Sequence, residues 1–177
     1  MEIKYKLEEI DFLGFQLFTA SKSNRIMKKR RNGWVQLTLL VLIIGIYFYQ
    51  QDNVFMSGFF GLVGVVTGIF YPKYFNWRYK KHYSNFIKDN YRQRVGEVSI
   101  IDITKEYVYS KGKAGESKIL LKEIDEVSDT MHHFFLKISS GQTLIIPKRE
   151  IEDVELLRVE LELIGLKIID ELDWEWK

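Results

Sequence analysis

The side chains best suited to chemistry lie in one short stretch, where His132 and His133 follow Asp125, Glu126 and Asp129. A histidine pair beside carboxylates suggests a metal or a proton relay, but the stretch reads as a strand, and successive residues on a strand point to opposite faces. The two rings therefore cannot chelate one ion side by side. The carboxylates, with no suitable His or Cys partner beside them, read as a solvated edge. The chain has no cysteine, so thiolate ligands and disulfides are excluded. His82, among basic and aromatic residues, reads as a solvated interfacial side chain. No catalytic residue, metal or cofactor is expected, and the chain is not read as an enzyme. Lys148 and Arg149 are the better binding candidates, because adjacent cations before a helix start suit an anionic headgroup, an acidic peptide or a phosphate. The competing reading is that they screen Glu150, Glu152 and Asp153.

What positions these residues is dominated by two apolar runs. Twenty residues from Asn32 to Gln51 carry no charge, and after Asp52 a second run of twenty extends from Asn53 to Pro72. At about 1.5 Å per residue each makes roughly 30 Å of helix, the thickness of a bilayer's hydrocarbon core. We expect a transmembrane hairpin with spans near 33–50 and 54–72. The competing readings are a buried hairpin in a soluble protein and a cleaved signal peptide, and the latter is disfavoured because no small-residue cleavage pattern follows Tyr49.

Charge sets the expected topology. Residues 1–94 hold 15 Lys and Arg against 6 Asp and Glu, whereas residues 95–177 hold 11 against 18. Lys22, Arg25, Lys28, Lys29, Arg30 and Arg31 crowd the entry to the first span, and Lys73, Arg78, Lys80 and Lys81 follow the second. The loop Gln50-Gln51-Asp52-Asn53 has no cation. By the positive-inside rule both termini are cytoplasmic. The six entry cations would face anionic lipid, or would act only as topology determinants. Nucleic-acid binding is not expected, since no stacking aromatics are interleaved with them.

Within the second span Ser57, Gly61, Gly64 and Gly68 advance by four, three and four residues and so share one helix face. Such a face packs against the first span inside the hairpin or forms a homo-oligomer seam. The spans carry no ionisable side chain of the kind that marks a transport pathway.

Four parts follow. Residues 1–31 hold an N-terminal strand, Ile3 to Leu7, and a basic helix leading to the membrane, and 32–72 form the hairpin. Residues 73–93 form a basic amphipathic juxtamembrane helix. Residues 94–177 form a β-rich cytosolic domain, with strands at 98–103, 107–111, 117–121, 124–128, 133–138 and 143–147 separated by turn residues such as Gly112, Gly115 and Gly141. The N-terminal strand must join that domain's sheet, because five residues cannot make a sheet alone. Ile151, Val154, Leu157, Leu161 and Ile164 then recur at helical spacing up to Gly165, so that one helix closes the domain. The tail from Asp170 to Trp176 is expected to dock on the sheet or on another protein. The fold class is an α+β membrane protein: a two-helix hairpin plus a pleckstrin-homology-like antiparallel β domain closed by a helix.

The opening Tyr5 to Asp11, the basic run, the two spans and above all Ile124 to Ile151, which ends in Ile146-Pro147-Lys148-Arg149, resemble the YcxB-like family of bacterial membrane proteins. Two features depart from the family pattern: Leu121-Lys122 stands where an aromatic precedes the Ile-x-x-Val segment, and Ile151 replaces an aromatic. The resemblance implies a bacterial cell-membrane location and this layout, and no catalytic residues. The expected function is a membrane-anchored interaction module whose cytosolic domain binds a protein partner or the anionic membrane surface. The alternative is an accessory subunit of a transport or export assembly.

Overall fold

A computed structural model describes residues 1–113 and 115–176. It divides into two compact units, one of Met1–Gln16 with Ser84–Glu175 and one of Leu17–Tyr83 with Trp176.

The first unit is built on two four-stranded sheets. Alternation of Ile3 and Tyr5 with charged neighbours makes β1 (Glu2–Lys6), with both apolar side chains buried. It pairs antiparallel with β2 (Val98–Ile103), Ile3 opposite Ile101 and Tyr5 opposite Ser99. The strand at the start of the chain thus completes the sheet of the β-rich region. β3 (Tyr107–Gly112) and β4 (Gly115–Leu120) continue the meander, giving the order β1-β2-β3-β4.

The second sheet contains β5 (Ile124–Thr130), β6 (His133–Ile138) and β7 (Thr143–Pro147). α4 (Val154–Leu163) follows, its first turn capped by the Asp153 carboxylate, which accepts from the Leu156 amide at 2.9 Å. Leu157 and Leu161 are fully buried in a core with Ile101, Val127, Phe134 and Ile146. Gly165 at φ 86° ends the helix.

The helix does not close the domain. The chain goes on into β8 (Ile168–Glu171), which pairs parallel with β5, giving the order β7-β6-β5-β8. Two isoleucines before acids carry too little periodicity to mark a strand. A parallel partner is reached only through the α4 crossover.

The second unit contains the end of α1 (Glu9–Lys22) from Leu17, all of α2 (Asn24–Gln50), and α3 (Val54–Asn90) up to Tyr83. Asp52 takes the left-handed conformation at φ 56°, and Asn53 Oδ1 accepts from the Met56 amide at 3.1 Å, so these two residues turn the chain and start α3. α2 and α3 are long and apolar enough to cross a membrane, and only 6% of the most apolar stretch of each is buried.

The helix expected over residues 73–93 is continuous with the second span, α3 running through Pro72 to Asn90. Proline at 72 removes the amide that would bond the Gly68 carbonyl. That carbonyl accepts instead from Trp34 Nε1 of α2, at 3.2 Å. An indole from the neighbouring helix therefore takes over the acceptor that proline leaves without a partner, and the helix passes through. Trp34→Phe removes this bond and is expected to destabilise the hairpin by about 1 kcal/mol. In a Pro72→Ala background the same change should cost measurably less, as a double-mutant cycle of detergent unfolding will read.

Candidate functional site

Strand alternation gives the first sheet an inner face of graded chemistry. Ile103, Val108 and Ile119 lie at one end of that face and are buried. Toward the other end the register places Ile101 opposite Ser110, Ser110 opposite Ser117, and Tyr5 opposite Ser99. Small hydroxyls thus replace β-branched side chains and leave a cleft of about 590 Å³.

Phe12, Phe15, Leu144 and Ile145 provide its apolar wall, and Arg94, Gln142 and the ion-paired Lys113 and Glu97 stand around it. Among the described residues, the side chains of Ser99, Ser110 and Ser117 make no hydrogen bond to protein, and neither does Tyr5, only 3% exposed. Burial holds the Tyr5 hydroxyl well above the usual phenol range, so it stays a neutral donor and acceptor. A side chain at Gly112 would crowd Ser99 Oγ, at 3.3 Å from the added carbon.

The cleft is flanked by two open sheet edges. β4 is the outer strand of its sheet and β7 of the other. Successive residues of each, 115–117 and 143–145, line the cavity, so main chain faces it as well as side chains. Open strand edges carry unpaired amides and carbonyls and are templates for an added strand.

Lys148 and Arg149 lie elsewhere and are engaged within the domain. Pro147 ends β7, and a short 3-10 turn over Lys148–Glu150 carries the pair. Lys148 Nζ lies 2.5 Å from Oδ1 of the buried Asp129, an ion pair off the direction of a hydrogen bond, and 4.7 Å from the centre of the Phe134 ring. Arg158 of α4 approaches the other oxygen of Asp129 at 3.2 Å.

Arg149 grips Asp11 with both terminal nitrogens, at 2.5 and 2.7 Å, and donates to the Lys6 carbonyl. Asp11 is fully buried. It also accepts from the Glu8 amide at 2.7 Å, one half of a capping box at the start of α1. Its other oxygen lies 2.8 Å from His133 Nε2. Burial alone would raise the Asp11 pKa. The hydrogen bonds from Arg149, His133 and the Glu8 amide, with the guanidinium charge, outweigh it and hold the carboxyl well below the usual range.

His133 opens β6 and His132 stands before it in the bend between β5 and β6, so strand alternation does not set the direction of the pair. The His133 ring stacks on Phe135 two residues on, at 5.3 Å and 13°, whereas the His132 and His133 planes differ by 82°. Among the described residues no three His, Asp or Glu side chains are placed to hold a metal ion.

Of the basic run, Lys22 lies over Phe18 and Arg30 over Phe75, while Arg25, Lys28, Lys29 and Arg31 are exposed. Arg30 and Arg31 border a cleft of about 320 Å³ with Met27, Trp34, Tyr71 and Pro72. Of the small-residue face, Gly64 is buried. A side chain there would meet Val41 of α2 at 3.5 Å, and one at Gly45 would meet Phe60, the Ser57 carbonyl and the Gly61 amide. Ser57 and Gly64 thus serve the approach of α2 to α3. A side chain at Gly61 or Gly68 would enter open space.

Sequence reasoning missed three things: the Asp11 junction, the serine rows and the Trp34–Gly68 bond. For Asp11 the signal was its position three residues after Glu8, where a helix-capping acid stands.

Residues 103–158, from the end of β2 into α4, match the family model described as YcxB-like protein, which includes the Ile124–Ile151 stretch that carries the resemblance. No curated protein and no solved structure matches the chain.

Proposed function

We propose that this chain is a non-catalytic, two-span protein of the bacterial cell membrane whose cytoplasmic β domain, pleckstrin-like in layout, holds a partner protein by seating an extended segment between β4 and β7. The observation that carries this reading is the cleft itself. Two unpaired strand edges flank one cavity, and among the described residues the hydroxyls of Tyr5, Ser99, Ser110 and Ser117 beside it make no protein hydrogen bond. Strand addition satisfies such edges through main-chain bonds, while alternate side chains enter the cavity. About five residues of partner span β4, at roughly 3.3 Å each. The membrane part is supported by the charge-free runs and by apolar side chains such as Phe55, 79% exposed, which water would not tolerate in such numbers. Ten Lys and Arg between residues 17 and 83 stand against one acid, Asp52, in the turn, which supports the cytoplasmic placement of both termini.

A photo-crosslinking residue at Ser117 or at Thr143 tests the reading in cells producing the full chain. Both positions should capture the same short segment of one partner protein, and Leu163, 80% exposed on α4, should not. Capture of unrelated segments, or equal capture from Leu163, contradicts it. The assembly-subunit reading draws on the open space at Gly61 and Gly68. If that face packs against other spans, Gly61→Leu breaks the assembly and leaves crosslinking at Ser117 intact.

A further inference from the structure

We propose that the cleft bordered by Arg30 and Arg31 seats the phosphodiester of one anionic phospholipid; this rests on the reading that α2 and α3 cross the bilayer. The cleft follows from how the two helices meet. Trp34 gives its indole N–H to Gly68, so what it offers the cavity is its ring. Gly33 lets the Tyr71 hydroxyl come close, since a side-chain carbon there would collide with that oxygen. The resulting wall of Met27, Trp34, Tyr71 and Pro72 is apolar and aromatic, with two guanidiniums at its edge.

Guanidinium recognises phosphate oxygens in bidentate fashion, and Trp and Tyr favour headgroup depth. Arg30 is steadied over Phe75, 5.9 Å from the ring centre. Arg31 is exposed and, among the described residues, is paired with no carboxylate. Residues 17–83 hold ten Lys and Arg against Asp52, which lies at the far end of the hairpin, so their charge calls for an anion. The occupant is a lipid rather than free phosphate, because the apolar wall solvates a glycerol ester and the start of an acyl chain, for which an inorganic ion has no use.

The test places the full chain in phosphatidylcholine nanodiscs with and without phosphatidylglycerol, and counts retained phosphatidylglycerol by native mass spectrometry. The intact chain should keep one molecule. Arg30→Gln with Arg31→Gln should weaken retention by about 30-fold, from the loss of two charge-assisted contacts to one phosphodiester. Arg25→Gln with Lys28→Gln, which removes equal charge from the same run, should leave it. Equal loss in both variants, an inserted chain that keeps no lipid, or displacement by inorganic phosphate overturns the site. A chain that fails to insert overturns the membrane reading and the site with it.

Discussion

Asp129→Ala is expected to destabilise the β domain by about 3–5 kcal/mol, more than the loss of either cation that pairs with it. Asp129 is 1% exposed and answers two cations, Lys148 and Arg158, whose side chains are themselves only 13% and 28% exposed. Alanine leaves Lys148 without a carboxylate at a place water scarcely reaches, while Arg158 keeps its longer contacts to Glu162 and Asp170, and the face of Phe134 offsets a fraction of the cost. The reverse deletion is milder. Lys148→Ala leaves Arg158 on Asp129 at 3.2 Å, and should cost about 1–3 kcal/mol. Amide exchange at Val127 and Phe134, in the two central strands, reports these differences. A larger loss from Lys148→Ala than from Asp129→Ala would show that the three charges are not coupled as described.

Asp11→Ala ranks second, at about 3 kcal/mol. It removes the acceptor for two Arg149 nitrogens, for His133 and for the Glu8 amide. Arg149 is more than a third exposed, so solvent recovers part of the loss. The same junction gives the domain an acid dependence of known sign. Because the folded Asp11 carboxyl ionises well below its ordinary value near 3.8, its contribution is complete above that value and is lost as pH falls toward the folded pKa. Asp11→Asn should therefore be less stable than the native chain at neutral pH and should lose less further stability below about pH 4. Parallel acid limbs for the two proteins would contradict the assignment.

Local pattern and long-range pairing explain what the sequence made legible. All six strands expected between residues 98 and 147 are present, because each ends at turn chemistry with local meaning, such as Gly141 at φ 87°. The need of a lone Ile3–Tyr5 alternation for a partner sent β1 to the sheet. β8 was not legible, since Ile168 and Ile169 become a strand only beside β5. Nor was the bond by which an indole from α2, some forty residues earlier, takes the Gly68 carbonyl that Pro72 leaves without a donor.

The cleft hid for a related reason. Ser99, Ser110 and Ser117 are ordinary turn-flanking serines in the chain and share a face only once the register places Ser110 opposite Ser117. Lys148 and Arg149 stood out as adjacent cations, yet the buried acids that take up their charge, Asp129 and Asp11, lie nineteen and 138 positions upstream. Such pairings leave no mark in local sequence.

The central claim, a hairpin across the membrane with the β domain on the inner side, is tested most directly by cysteine accessibility, for which a chain without native cysteine is suited. Asp52→Cys in the turn and Glu106→Cys on the β domain are each exposed to a membrane-impermeant maleimide in intact cells. The prediction is that residue 52 labels in intact cells and residue 106 only after lysis. Labelling of residue 106 from outside, or protection of residue 52 until the cells are broken, would contradict it.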